Sequence, residues 1–107
     1  MQNKLLLVIT TFPSKESAIE LAKELVENKL AACIQISAPV TSIYLWQDKV
    51  CEEQEYQLQI KCTQACYSAL EQTISQQHPY QVPEIIAIPI NDGLPEYINW
   101  VNEVTSA

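Results

Sequence analysis

The chain has 107 residues, 48% of them apolar, with 13 acidic against 6 basic side chains and a formal charge of −7. That length and composition fit one folded domain over residues 1–107 and exclude a disordered chain. All six basic residues are lysines, which argues against nucleic acid; a lone glycine, Gly93, excludes a P-loop or dinucleotide fingerprint, and a lone histidine, His78, excludes a single-chain site of two or three imidazoles.

Lys4 to Thr11 reads as a first strand, since its short apolar run suits a strand covered on both faces. Its five apolar residues Leu5–Ile9 fall short of the ~7–15 of a secretory signal core and the ~20 of a membrane span. With four cysteines and no export signal, the expected location is the cytoplasm, with Cys33, Cys51, Cys62 and Cys66 reduced. Phe12-Pro13 breaks the strand, and Ser14 is placed to cap a helix whose first turn holds Glu16. Ala18, Leu21, Ala22, Leu25 and Val26 share one face of that helix.

Ala31 to Trp46 is a long β-rich stretch interrupted at Pro39, which assigns it to an edge or to a bulge. Gln47-Asp48 is the expected hairpin tip. In the return strand Tyr56, Leu58, Ile60 and Cys62 alternate with Glu53, Glu55, Gln57, Gln59 and Lys61, so the second set, including the acidic run, is expected to face solvent. Mirroring the hairpin about its tip sets Cys33 roughly opposite Cys62, a candidate thiol pair for a soft metal, although a bulge at Pro39 would shift this by a residue. A hairpin this long needs more cover than one such sheet provides, so part of it is expected to pair with another chain.

A second helix follows from Thr63 to Gln77, with Cys66, Leu70 and Ile74 on one stripe, and His78-Pro79 ends it. Its stop places His78 to interact with the last helical carbonyls or to serve as one ligand of a metal site. Glu84 to Ile90 is the fourth strand, Asn91-Asp92-Gly93 a turn, and Pro95 opens a last helix that turns Tyr97, Ile98, Val101 and Val104 inward. Trp100 lies at its margin and the tail frays from Thr105. The order β-α-β-β-α-β plus a terminal helix is α+β, the ferredoxin-like split-βαβ unit with a long hairpin between its second and third strands. No nucleophile motif or paired-carboxylate cleft is present, so an enzyme is the least supported class.

The segments Thr10-Thr11-Phe12-Pro13, Leu30-Ala31-Ala32-Cys33, Val40 to Trp46 and His78-Pro79-Tyr80-Gln81-Val82-Pro83-Glu84-Ile85-Ile86-Ala87 resemble the CutA family of divalent-cation tolerance proteins. The resemblance implies a ferredoxin-like domain in a stable homotrimer whose hairpin arms pair across subunits. It also implies a role in tolerance of copper and other divalent cations. Copper-binding members place a cysteine at the end of the first strand and two adjacent histidines before Pro-Tyr. Those positions are Thr10, Gln77 and His78 here, so a single metal ligand, His78, carries over and only weak binding of copper or another divalent cation is expected. The family trimer is similar to that of the PII signalling proteins, which makes Lys61, Tyr80 and Glu84 candidates for an inter-subunit cleft that binds a small molecule. A structural trimer that anchors a protein partner is the third reading. No nucleic-acid or membrane partner is expected.

Overall fold

The computed structural model describes residues 3–106. It contains β1 (Leu5–Phe12), α1 (Lys15–Glu27), β2 (Cys33–Ile36), β3 (Val40–Trp46), β4 (Lys49–Thr63), α2 (Gln64–Gln77), β5 (Ile85–Ile90) and α3 (Pro95–Thr105). The antiparallel sheet runs β2-β4-β1-β5, and β3 pairs with the outer half of β4. This is the α+β, ferredoxin-like arrangement expected, with the long second strand divided at Pro39 into β2 and β3. The proline-bearing strands lie where a missing N–H costs nothing: Pro89 is in the edge strand β5, and Pro39 falls between β2 and β3.

Leu6, Val8 and Phe12 of β1 join Leu58, Ile60 and Cys62 of β4 on the sheet face covered by α1 and α2. There they pack with Ala18, Leu21, Leu25, Leu70 and Ile74 as the main core. On the other face, α3 covers only one end, where Val101 packs with Leu5 and Ala32. Beyond it Leu7 and Ile9 pair with Ile88 and Ile86, and those two β5 side chains stay 44% and 48% exposed.

Helix α1 starts as its sequence suggests, with the Ser14 hydroxyl accepting the Ser17 N–H at 3.2 Å. Its far end is closed by Lys29 at φ 60°, with Lys29 N–H donating to Val26 O and Leu30 N–H to Leu25 O. Val26, expected in the core, is 42% exposed near the end of this helix. Helix α3 also differs from expectation. Tyr97 is 37% exposed, whereas Thr105 is buried and its hydroxyl donates to Val101 O at 2.7 Å, so the helix holds to its last residue instead of fraying there.

Candidate functional site

Of the residues singled out by sequence, His78 and Tyr80 lie where β1 ends. His78 follows α2 and turns its ring back across the end of β1, buried to 8% exposure. Its Nε2 lies 2.6 Å from the Thr11 carbonyl, and its Nδ1 lies 3.1 Å from the Tyr80 N–H. A carbonyl can only accept and an amide N–H can only donate, so the ring is neutral with its proton on Nε2. Phe12 and Tyr80 flank it at ring-centroid distances of 4.3 and 4.7 Å. Burial lowers the imidazole pKa, opposed by the Thr11 bond and the nearby Glu55 carboxylate.

His78 therefore does not bond to the last carbonyls of α2, the bland role expected for it, but to a carbonyl 67 residues earlier. As a metal ligand it fits poorly for a similar reason, because its one bare nitrogen already accepts a backbone N–H. The other two positions of the copper pattern fit no better. Thr10 is fully buried with its hydroxyl unpartnered, and the exposed Gln77 amide donates to Glu24 at 2.6 Å. Among the described residues, no three His, Cys, Asp or Glu side chains are grouped to hold a metal ion.

The thiols do not replace that site. Ile36 pairs with Leu58 but Val40 with Glu55, so the Ser37–Pro39 side carries one extra residue and the register slips by one. Cys33 consequently pairs with Lys61, and Cys62 points to the opposite face of the sheet. The candidate Cys33–Cys62 pair is thus not formed, and the pairing carries the one-residue shift that a bulge at Pro39 would produce. All four cysteines are free, and burial, reinforced by Cys66, pushes the Cys62 thiol up to about 12, which disfavours the thiolate a soft metal needs.

Lys61, Tyr80 and Glu84 are not brought together within one chain. Lys61 donates to Gln35 at 2.6 Å, while Tyr80 donates to Glu55, six residues and roughly 20 Å along β4. Glu84 is exposed just before β5. Two surface clefts, of about 290 and 460 Å³, are lined by residues around Lys4 and Ile98 and around Lys23 and Ile34, and neither includes any of the three.

One residue that sequence reasoning misplaced is Glu55. Expected in solvent, it is 5% exposed, and its Oε2 accepts the Tyr80 phenol at 2.7 Å. Burial, then this bond, raises the Tyr80 pKa. The alternation of β4 gave no sign of this, because the cover comes from a loop 25 residues away.

Residues 6–104 match the family model described as CutA1 divalent ion tolerance protein. The chain is 47% identical over 98 residues to the divalent-cation tolerance protein CutA of Thermus thermophilus, covering 92% of this chain and 95% of that protein. It is 39% identical over 97 residues to protein CutA of mouse, covering 91% of this chain and only 55% of the longer mouse protein. The crystal structure of CutA1 from Shewanella sp. SIB1 superposes with a TM-score of 0.94 at 42% identity, over all of both chains.

Proposed function

The chain belongs to the CutA1 divalent ion tolerance family, and from that premise we propose that it serves divalent-cation tolerance as a cytoplasmic, non-catalytic homotrimer. The observation that carries this reading is the apolar surface one chain leaves open. Ile86 and Ile88 lie beside Leu7 and Ile9 on a sheet face that α3 covers only at one end, and the β3–β4 arm exposes Ile43, Leu45 and Val50 at 68–77%. Patches of this kind on a folded domain mark an interaction surface. The open edges belong to unlike strands, and head-to-tail pairing of unlike edges closes into a ring when the rotation permits. Three is the number of chains that the family resemblance implies.

In this reading the cation is held loosely. A surface at −7 per chain enriches divalent ions nearby, an effect that salt screens within about 10 Å. Copper competes for the Nδ1 lone pair of His78 only by displacing the Tyr80 N–H, so the imidazole adds little affinity. The four free thiols agree with a reducing compartment.

The test is copper titration of the wild type and His78→Ala at two salt concentrations, with the mass of each followed by sedimentation. Weak, salt-sensitive binding of similar strength by two trimeric proteins is expected. A monomeric wild type overturns the assembly, and tight binding lost in His78→Ala restores the imidazole as a true ligand.

A further inference from the structure

Strand β5 and helix α3 are joined by Asn91-Asp92-Gly93-Leu94, which adopt no regular structure. Gly93 is the only glycine of the chain, so Asp92-Gly93 is the only place where an aspartate or asparagine precedes glycine. Both residues are exposed. Among the described residues, no group accepts a hydrogen bond from the Gly93 N–H and none bonds the Asp92 carboxylate. A carboxyl and a free amide one residue on can close a five-membered ring. Glycine assists, because it brings no Cβ to obstruct the approach of Asp92 Cγ to its nitrogen.

We propose that Asp92-Gly93 is a covalent modification site, where the backbone rearranges through a succinimide to an isoaspartyl linkage. In the first step the Gly93 nitrogen attacks Cγ of the protonated Asp92 carboxyl. An N–Cγ bond forms and a Cγ–O bond breaks; that oxygen leaves as water with the amide proton and the carboxyl proton. In the second step water adds at the Asp92 carbonyl carbon and breaks its bond to the Gly93 nitrogen, which regains a proton. The chain now runs through Cγ, and the former peptide carbonyl is a free carboxylate. One water is lost and one regained, so no oxidant or other reagent is consumed. The product is an acceptor for one class of enzymatic reaction, methyl esterification of isoaspartyl carboxylates by S-adenosylmethionine.

The other aspartate shows what the loop supplies. Asp48 is exposed too, but it sits in the hairpin turn at φ 65°. Lys49, which follows it, carries a side chain and is fixed by pairing with Trp46. Asp92 has no such restraint after it.

The rearrangement falls where α3 is anchored. A Cβ at Gly93 would lie 3.3 Å from both Cγ1 and Cδ1 of Ile98, so the loop runs close against that side chain. Ile98 in turn packs against Leu5, Ala32 and Val101. The Tyr97 and Ile98 N–H groups both donate to Leu94 O at 3.0 Å, one residue past the site. An isoaspartyl linkage adds a carbon to the backbone just before Gly93. It therefore displaces Gly93 and Leu94 and loosens the first turn of α3.

The experiment is to age the purified protein at physiological pH and temperature in water labelled with heavy oxygen. Peptide mapping that separates isoaspartyl from aspartyl forms reads the product, and methyl transfer from labelled S-adenosylmethionine counts it. Isoaspartate should accumulate at Asp92 and not at Asp48, with heavy oxygen in the modified peptide. Asp92→Glu, whose ring would need six members, should lose the product. Asp92→Asn, which closes the same ring by releasing ammonia, should form it faster than the wild type. In the modified wild-type fraction, amide exchange should show weaker protection of Tyr97 and Ile98 than in the unmodified one. The wild-type readings decide even if a variant fails to fold. No isoaspartate at Asp92, an equal yield at Asp48, or a product without heavy oxygen overturns the site; equal protection in the two fractions overturns its effect on α3.

Discussion

Thr10 sits fully buried in the middle of the sheet with its Oγ1 unpartnered. A buried hydroxyl without a partner costs about 1–3 kcal/mol of desolvation that nothing returns. Thr10→Val keeps the branched shape suited to a strand and removes the polar atom. It is expected to raise stability by about 1 kcal/mol, read as the denaturation midpoint at equal protein concentration; a loss of stability would show that the hydroxyl has a partner, such as a buried water. The sequence identified Thr10 and His78 as positions of interest, one from the family pattern and one as the only imidazole. It did not disclose what they do, because their roles are set by groups far away in the chain. His78 is defined by Thr11, and Glu55 by Tyr80. Local periodicity assigns a side chain to a face, but here a distant loop returns over that face and buries it.

At the scale of elements, signals written in side chains were legible and those written in the backbone were not. Ser14 announced the start of α1, and the alternation of Leu58, Ile60 and Cys62 identified the core face of β4. The end of α1 gave no such sign, because the left-handed position that closes it is Lys29 where glycine is usual. The hairpin tip, by contrast, was expected at Gln47-Asp48 and lies there, with φ of 50° and 65° at the two residues, as a tight two-residue turn requires. Proline at position 39 marked the interruption and the bulge that would shift the register, and the pairing shows that one-residue slip, which separates Cys33 from Cys62. A non-glycine residue in the left-handed region costs roughly 1–2 kcal/mol, partly offset by the extra freedom of glycine in the unfolded chain. Lys29→Gly is therefore expected to stabilise the protein by about 0.5–1 kcal/mol while leaving the Val26 and Leu25 caps intact. Equal midpoints for the two proteins would place the strain elsewhere.

The whole molecule is too long for its size. It extends 47 × 25 × 23 Å with a radius of gyration of 14.5 Å, against about 13 Å for a compact domain of this length. Its accessible surface of 6864 Å² likewise exceeds the roughly 6,000 Å² typical of a folded monomer of this mass. Both excesses agree with the arm, whose outer half of β4 has β3 on one side and no β1 on the other. The proposed assembly would have to overcome the mutual repulsion of chains at −7 each, so salt should favour it, whereas the same salt should weaken the proposed loose cation binding. That opposition separates the two halves of the proposed function in one set of titrations. The location of the contact is testable with Ile88→Glu, which puts a carboxylate beside Leu7 on the open face. Each copy would forfeit about 1.5–3 kcal/mol of apolar burial and would have to desolvate a charge as well. Sedimentation should then find single chains at micromolar concentration, while Ala69→Glu, on the exposed side of α2, should leave the mass of the wild type unchanged. An Ile88→Glu protein that still sediments as a trimer would move the interface away from the open sheet face and onto the arm, where Leu45→Glu is the next substitution to make.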